Sequence, residues 1–229
     1  MHSNGKVHGN GNGAQLLEIG SLTNPQIQDF INFHESRSPG FSADRLQAII
    51  SMLLAELGFD LMSEHFRDTP KRVARFYREF TRGYRVNPAE ILKTFASRNR
   101  ELIVVSGVEF FSLCPHHLLI YGGKIHFGYV ADSRIVGISK IPRLIQALAA
   151  RAVVQEDLVA DIADAFMSVV KPLGCAVKAV AKHDCVAARG VRCTEATMTT
   201  VALRGIFSED QNYAQNFYQG ITHNGDCAR

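Results

Sequence analysis

Apolar residues recur at helical spacing over residues 43–58, where Leu46, Ile49, Ile50, Leu53, Leu54 and Leu57 form one stripe behind Ser42, a ready cap. The pattern predicts a helix that packs one face. A second start is written in Arg67-Asp68-Thr69-Pro70, since an Asp or Thr cap followed by Pro suits a first turn whose amides lack partners. This helix runs to about residue 80 or 84, with Val73, Phe76, Tyr77 and Phe80 on its apolar side and Arg72, Arg75 and Arg78 off it. From residue 102 the texture changes. Residues 102–112, 118–130 and 134–137 are rich in β-branched and aromatic side chains, with Ala131-Asp132-Ser133 as a turn between the last two, and read as antiparallel strands. Helical spacing returns over 141–150 and 155–170, the second ended by Pro172 and Gly174. Residues 175–182 alternate small apolar residues with Lys178 and Lys182, and 197–207 are rich in Thr and Val; both read as strands.

Helices, then strand-strand, helix-helix, strand-strand, predict an α+β domain with helices on one face of an antiparallel sheet. The expected division is a polar, flexible tail at 1–42, a domain at 43–207 (helical over 43–100, mixed over 101–207), and a tail at 208–229 with no assigned element. A length of 229 residues, 46% hydrophobic and 21% charged, suits one globular domain and excludes disorder, collagen or coiled coil for its bulk. The 25 Lys plus Arg against 22 Asp plus Glu leave +3, too little for a nucleic-acid-binding domain, so an anionic partner must be met by a local cluster. No apolar run approaches the ~18 residues of a membrane span, and residues 1–15 lack the pattern of a signal peptide. Five cysteines, an odd number, point to a reducing, cytoplasmic setting.

Two segments carry chemistry. Cys114-Pro115-His116-His117 holds a thiol and two imidazoles, with Cys114 and His117 at the C-x-x-H spacing that closes on one ion from a tight turn. His183-Asp184-Cys185 ends an apolar strand, and on extended backbone its imidazole and thiol share a face. If the segments meet, Cys114, His117 and Cys185 supply three ligands and leave a fourth position open for an acidified water. A buried Cys beside two His, or a closed four-ligand zinc, would use the same residues. The surplus His116 and His183 favour catalysis, as general acid and base. Cys175, Cys193 and Cys227 have no partner at ligand spacing.

Five ordered motifs, Asp68-Thr69-Pro70-Lys71-Arg72-Val73-Ala74, Ser112-Leu113-Cys114-Pro115-His116-His117, Gly137-Ile138-Ser139-Lys140-Ile141-Pro142-Arg143, Val154-Gln155-Glu156 and His183-Asp184-Cys185-Val186-Ala187-Ala188-Arg189-Gly190, resemble GTP cyclohydrolase I over about residues 43–207. The resemblance implies that Cys114, His117 and Cys185 bind Zn2+, and that His116 and His183 transfer protons beside the guanine ring. The implied reaction hydrolyses GTP at C8, releases formate and closes 7,8-dihydroneopterin triphosphate. Ser139, Lys140, Arg143, Arg189, Arg72 and Arg75 match family positions that meet the triphosphate, and Glu156, with Gln155 before it, matches the purine anchor. A carboxylate accepts from the guanine N1–H and 2-amino group, which adenine cannot offer. The implied fold is the tunnelling fold, whose sheets join edge to edge into barrels, and the implied assembly is a homodecamer of two stacked pentamers with sites between subunits.

The chain departs from the family pattern in three places. Pro115 stands where Glu is usual, residues 118–123 lack the usual Pro-Phe, and Arg75 is often Lys. Two rivals therefore accompany the reading. One is a paralogue that only opens the ring or takes a related purine nucleotide. The other is a silent, zinc-stabilised oligomer that binds nucleotide, against which both His116 and His183 speak.

Overall fold

A computed structural model describes residues 42–98 and 100–222. Residues 1–41 of the expected tail, and Cys227, lie outside the described residues. Helix α1 (Ala43–Glu56) starts where the Ser42 hydroxyl accepts from the Arg45 amide at 3.2 Å. Only Ile50 and Leu54 of its stripe are buried, while Leu53 and Leu57 stay 52% and 60% exposed; among the described residues α1 packs chiefly on α2 (Thr69–Phe80). Pro70 sits in the first turn of α2, although the Asp68 side chain makes no cap bond and instead lies 3.7 Å from Arg72. A 3-10 turn (Arg82–Arg85) and a short α3 (Pro88–Ile91), capped by Asn87, lead to β1 (Thr94–Ala96).

Strands β2 (Leu102–Leu113), β3 (Ile120–Val130), β5 (Gly174–His183) and β6 (Met198–Gly205) form one antiparallel sheet in the order β2-β3-β5-β6. The strand expected at 134–137 is present as β4 (Arg134–Val136), but it pairs with β1 in a separate two-stranded ribbon. Both edges of β3 are taken by β2 and β5, so β4 cannot pair with the strand that precedes it. Between β4 and β5 run α4 (Lys140–Ala149) and α5 (Gln155–Val170), which pack on one face of the sheet. On that face Phe166 lies 4.7 Å from Phe127 and 5.0 Å from Tyr129, ring centre to ring centre. Across from it Cys175, Val177 and Ala179 are fully buried, and their small size lets α5 approach closely.

The other face of the sheet is covered by a segment to which the sequence assigned no element. Beyond β6, α7 (Ile206–Glu209) leads to α8 (Gln211–Thr222), which buries Phe217 and Ile221 against Val130, Ala176 and Phe207. Tyr213, Phe217 and Ile221 recur every fourth residue, but the many Asn and Gln between them hide the stripe. Gly128 makes the docking fit, since a Cβ there would stand 2.6 Å from the Phe217 ring. No helix among the described residues is long and apolar enough to cross a membrane.

Candidate metal centre and active site

Cys114 follows β2 directly, and the chain turns back on itself before β3. The amides of His117 and Leu118 both return to the Cys114 carbonyl, at 3.4 and 2.8 Å, and the Cys114 amide donates to Leu119 at 2.9 Å. The turn thus closes without the N–H that Pro115 lacks. Leu118 takes a left-handed φ of 53° to complete it. His183 is the last residue of β5, and Cys185 lies in the short α6 (Asp184–Ala187) that follows. Because Tyr121 on β3 pairs with His183, both motifs arrive at the same end of the sheet.

There, ligand atoms of Cys114, His117 and Cys185 all lie within 4.8 Å of one another. The Cys114 Sγ to His117 Nδ1 separation is 3.7 Å. Zinc bonds of about 2.3 Å to sulfur and 2.0 Å to nitrogen, at a tetrahedral angle, place such a pair about 3.5 Å apart, so the donor set fits one ion. Burial pushes the Cys185 thiol above its ordinary value, and the Cys114 group beside it adds to the effect by hydrogen bonding and charge. Two thiols so close ionise together only when a cation lies between them.

His116 Nδ1 stands 3.8 Å from Cys114 Sγ, and an Arg189 guanidinium nitrogen is 2.8 Å from His117 Nε2. Burial lowers the basicity of His183, while the charges of Glu156 and Asp184 oppose that shift. Glu156 is therefore within electrostatic reach of the imidazole, and its side chain is exposed. Gln155 differs from its expected place. Neighbouring positions on a helix point about 100° apart, so Glu156 faces out while Gln155 faces the sheet and is fully buried. Its amide is spoken for inside the chain, with His183 Nε2 at 2.8 Å from Oε1. Tyr121, to which the sequence reading gave no role, stacks on His183 at 4.5 Å and 3°. Only strand pairing reveals it, because 62 positions separate the two residues in the chain.

The phosphate candidates stand apart. Ser139 precedes α4 without making a cap bond, Lys140 begins that helix, and Ser139 and Arg143 are exposed. Arg72 and Arg75 are exposed on α2. No hydrogen bond or ion pair among the described residues joins these five side chains to the Cys-His-Cys cluster. Cys175 is a buried strand residue, as its sequence position suggests, and Cys193 is exposed.

Sheet order and donor set together define the class: a tunnelling-fold protein with a Cys, His, Cys cluster of metal-binding geometry. The sequence profile of the family described as GTP cyclohydrolase I matches residues 46–222, and the chain belongs to that family. The GTP cyclohydrolase 1 of Wolinella succinogenes is 37% identical over 180 residues, which cover 78% of this chain and 96% of the relative. That of Campylobacter jejuni subsp. jejuni is 39% identical over 179 residues, covering 77% and 94%. That of Chlorobium chlorochromatii is 39% identical over 170 residues, covering 73% and 76%.

Proposed function

We propose that the chain is a working GTP cyclohydrolase I, which hydrolyses GTP to 7,8-dihydroneopterin triphosphate and formate. The observation that carries the reading is the convergence of Cys114, His117 and Cys185 with His116 and His183 at one end of the sheet, in a member of this family. Cys114, His117 and Cys185 hold Zn2+, which when bound supplies a Lewis acid that makes water a nucleophile at neutral pH. Glu156 accepts from the guanine N1–H and 2-amino group and sets the ring beside the two histidines. His116 and His183 take and return protons as the imidazole ring of the base opens at C8 and formate leaves. Ser139, Lys140, Arg143, Arg189, Arg72 and Arg75 meet the triphosphate; Arg favours it through paired hydrogen bonds, Lys as a point charge.

Five of those six make no contact with the cluster within the chain, which supports a site completed by neighbouring copies. Among the described residues β2 and β6 are the edges of the sheet, and β6 of one copy beside β2 of the next continues the antiparallel alternation. The exposed apolar residues of α1 offer a further surface to a second copy. The assembly is a homodecamer of two stacked pentamers. Four free cysteines among the described residues agree with a cytoplasmic setting. The domain of 43–207 is extended by α8.

The test incubates zinc-loaded protein with GTP and follows formate and the fluorescent neopterin obtained after oxidation and dephosphorylation. Both products are expected. Formate alone would indicate a ring-opening paralogue, and neither product a silent nucleotide binder.

A further inference from the structure

We propose that Gln155 and Tyr121 are positioning residues that hold His183 in one ring orientation and one tautomer, with Nε2–H turned inward and Nδ1 left for the substrate. The inference rests on the role given above to His183, and it names residues that act through it.

The amide of Gln155 can be oriented from its surroundings. Its Nε2 donates to the Met198 carbonyl at 3.0 Å, to Thr200 Oγ1 at 3.0 Å and to the Ala179 carbonyl at 3.4 Å. Two of these partners are main-chain oxygens that only accept. An amide turned the other way would face them with its own oxygen and leave a fully buried carbonyl against two others, so that arrangement is excluded. Oε1 must then face His183 Nε2, which lies 2.8 Å away. An amide oxygen has no proton to give. Nε2 of His183 therefore carries one, and the lone pair of the neutral ring is on Nδ1.

Tyr121 fixes the plane of the same ring. The two rings lie 4.5 Å apart at 3°, and the Tyr121 hydroxyl donates to the Val153 carbonyl at 2.9 Å, two residues before Gln155. Tyr121 is itself 1% exposed and meets Phe110 edge-on, so it has no room to swing. A flip of the imidazole would exchange Nε2 for another ring atom opposite Oε1 and forfeit the hydrogen bond. The Gln155 bond survives protonation of Nδ1, since Nε2 is a donor in both states. The clamp thus orients the ring without opposing proton transfer.

The test uses the full zinc-loaded chain labelled with 15N-histidine, with the His183 signals assigned by difference against His183→Ala. Ring-nitrogen spectra of the resting protein are expected to show His183 as the Nε2–H tautomer, and Gln155→Met is expected to mix the tautomers. The same variant should keep its zinc and its KM for GTP within about two-fold while kcat falls about ten-fold or more, part of the 10²–10⁴ that a positioned proton donor contributes. Tyr121→Phe, which keeps the stacked ring, should retain the tautomer signature, and Tyr121→Leu should lose it. An Nδ1–H tautomer in the wild type overturns the inference, as does a Gln155→Met variant with raised KM and unchanged kcat, which would make Gln155 a guanine contact. The wild-type spectrum decides even if Gln155→Met fails to fold. Absence of product from GTP would instead unseat the proposed activity, and the resting spectrum is independent of it.

Discussion

Gly128→Ala sets a methyl group against the docked C-terminal helix. Its Cβ would stand 2.6 Å from Phe217 Cδ2 and 3.2 Å from Cε2. Carbon atoms pack best at about 3.5–4.0 Å, so the ring must retreat by about 1 Å. Phe217 has nowhere to go, being fully buried with Phe207 at 6.3 Å and Tyr218 at 5.5 Å. Overpacking of this kind costs about 1–3 kcal/mol, whereas Phe217→Ala, which empties the site, costs about 3–5 kcal/mol. Combined with Phe217→Leu, the added methyl enters space the ring has left. The two costs then fail to add, with a coupling of about 1 kcal/mol or more. Urea unfolding followed by circular dichroism reads these differences, at one fixed protein concentration so that any association of copies affects all variants alike. Each 1 kcal/mol also moves Tm by about 2–4 °C in a chain of this size. Single-variant costs that add to within about 0.5 kcal/mol would refute the docking of α8 on β3.

Other outcomes are equally definite. Cys185→Ala should lose bound metal by elemental analysis, while His183→Ala keeps it and loses turnover; equal metal loss in both would sink the proton-transfer role of His183. Chelation should abolish product formation and added Zn2+ restore it, and persistence of full activity in demonstrably metal-free protein would contradict the assigned ligands. Burial pushes the Cys175 thiol from 9.0 up to about 12 and the Tyr121 hydroxyl from 10.0 up to about 12. Both groups are raised above their unfolded values, so their contribution to stability is complete below pH 9 and is lost as pH rises toward 12. Each adds a slope of up to ~1.4 kcal/mol per pH unit in that window. Unfolding midpoints should therefore drop between pH 9 and 11, less steeply in Cys175→Ala, and an unchanged slope there would show that the thiol is not the source. In the native protein Cys193 should be alkylated at pH 8 and Cys175 spared, as mass spectrometry of the modified peptides reads directly.

Most of the architecture is legible in the amino-acid sequence. Helical spacing marked α1, α2, α4 and α5, β-branched, aromatic and Thr content marked β2, β3 and β6, alternation marked β5, and C-x-x-H with Cys185 marked the donor set. Periodicity reports which face of an element is apolar and is silent on what meets that face. Hence the strand at 134–136 was visible while its partner β1 was not, and a helical stripe diluted by Asn and Gln passed unnoticed in α8. The same limit applied to Gln155 and Glu156. As a pair in sequence they read as one anchor, yet a turn of about 100° sends one to the interior and the other to the surface. The residue types alone determined the chemistry available to this protein, because thiols, imidazoles and guanidinium groups keep their donor properties wherever the chain places them. Tertiary structure decided which of them meet. The register of β3 against β5 brings Tyr121 to His183, and the seat of α5 on the sheet turns Gln155 toward that same ring. Such meetings depend on pairing between residues far apart in the chain, which no local pattern encodes.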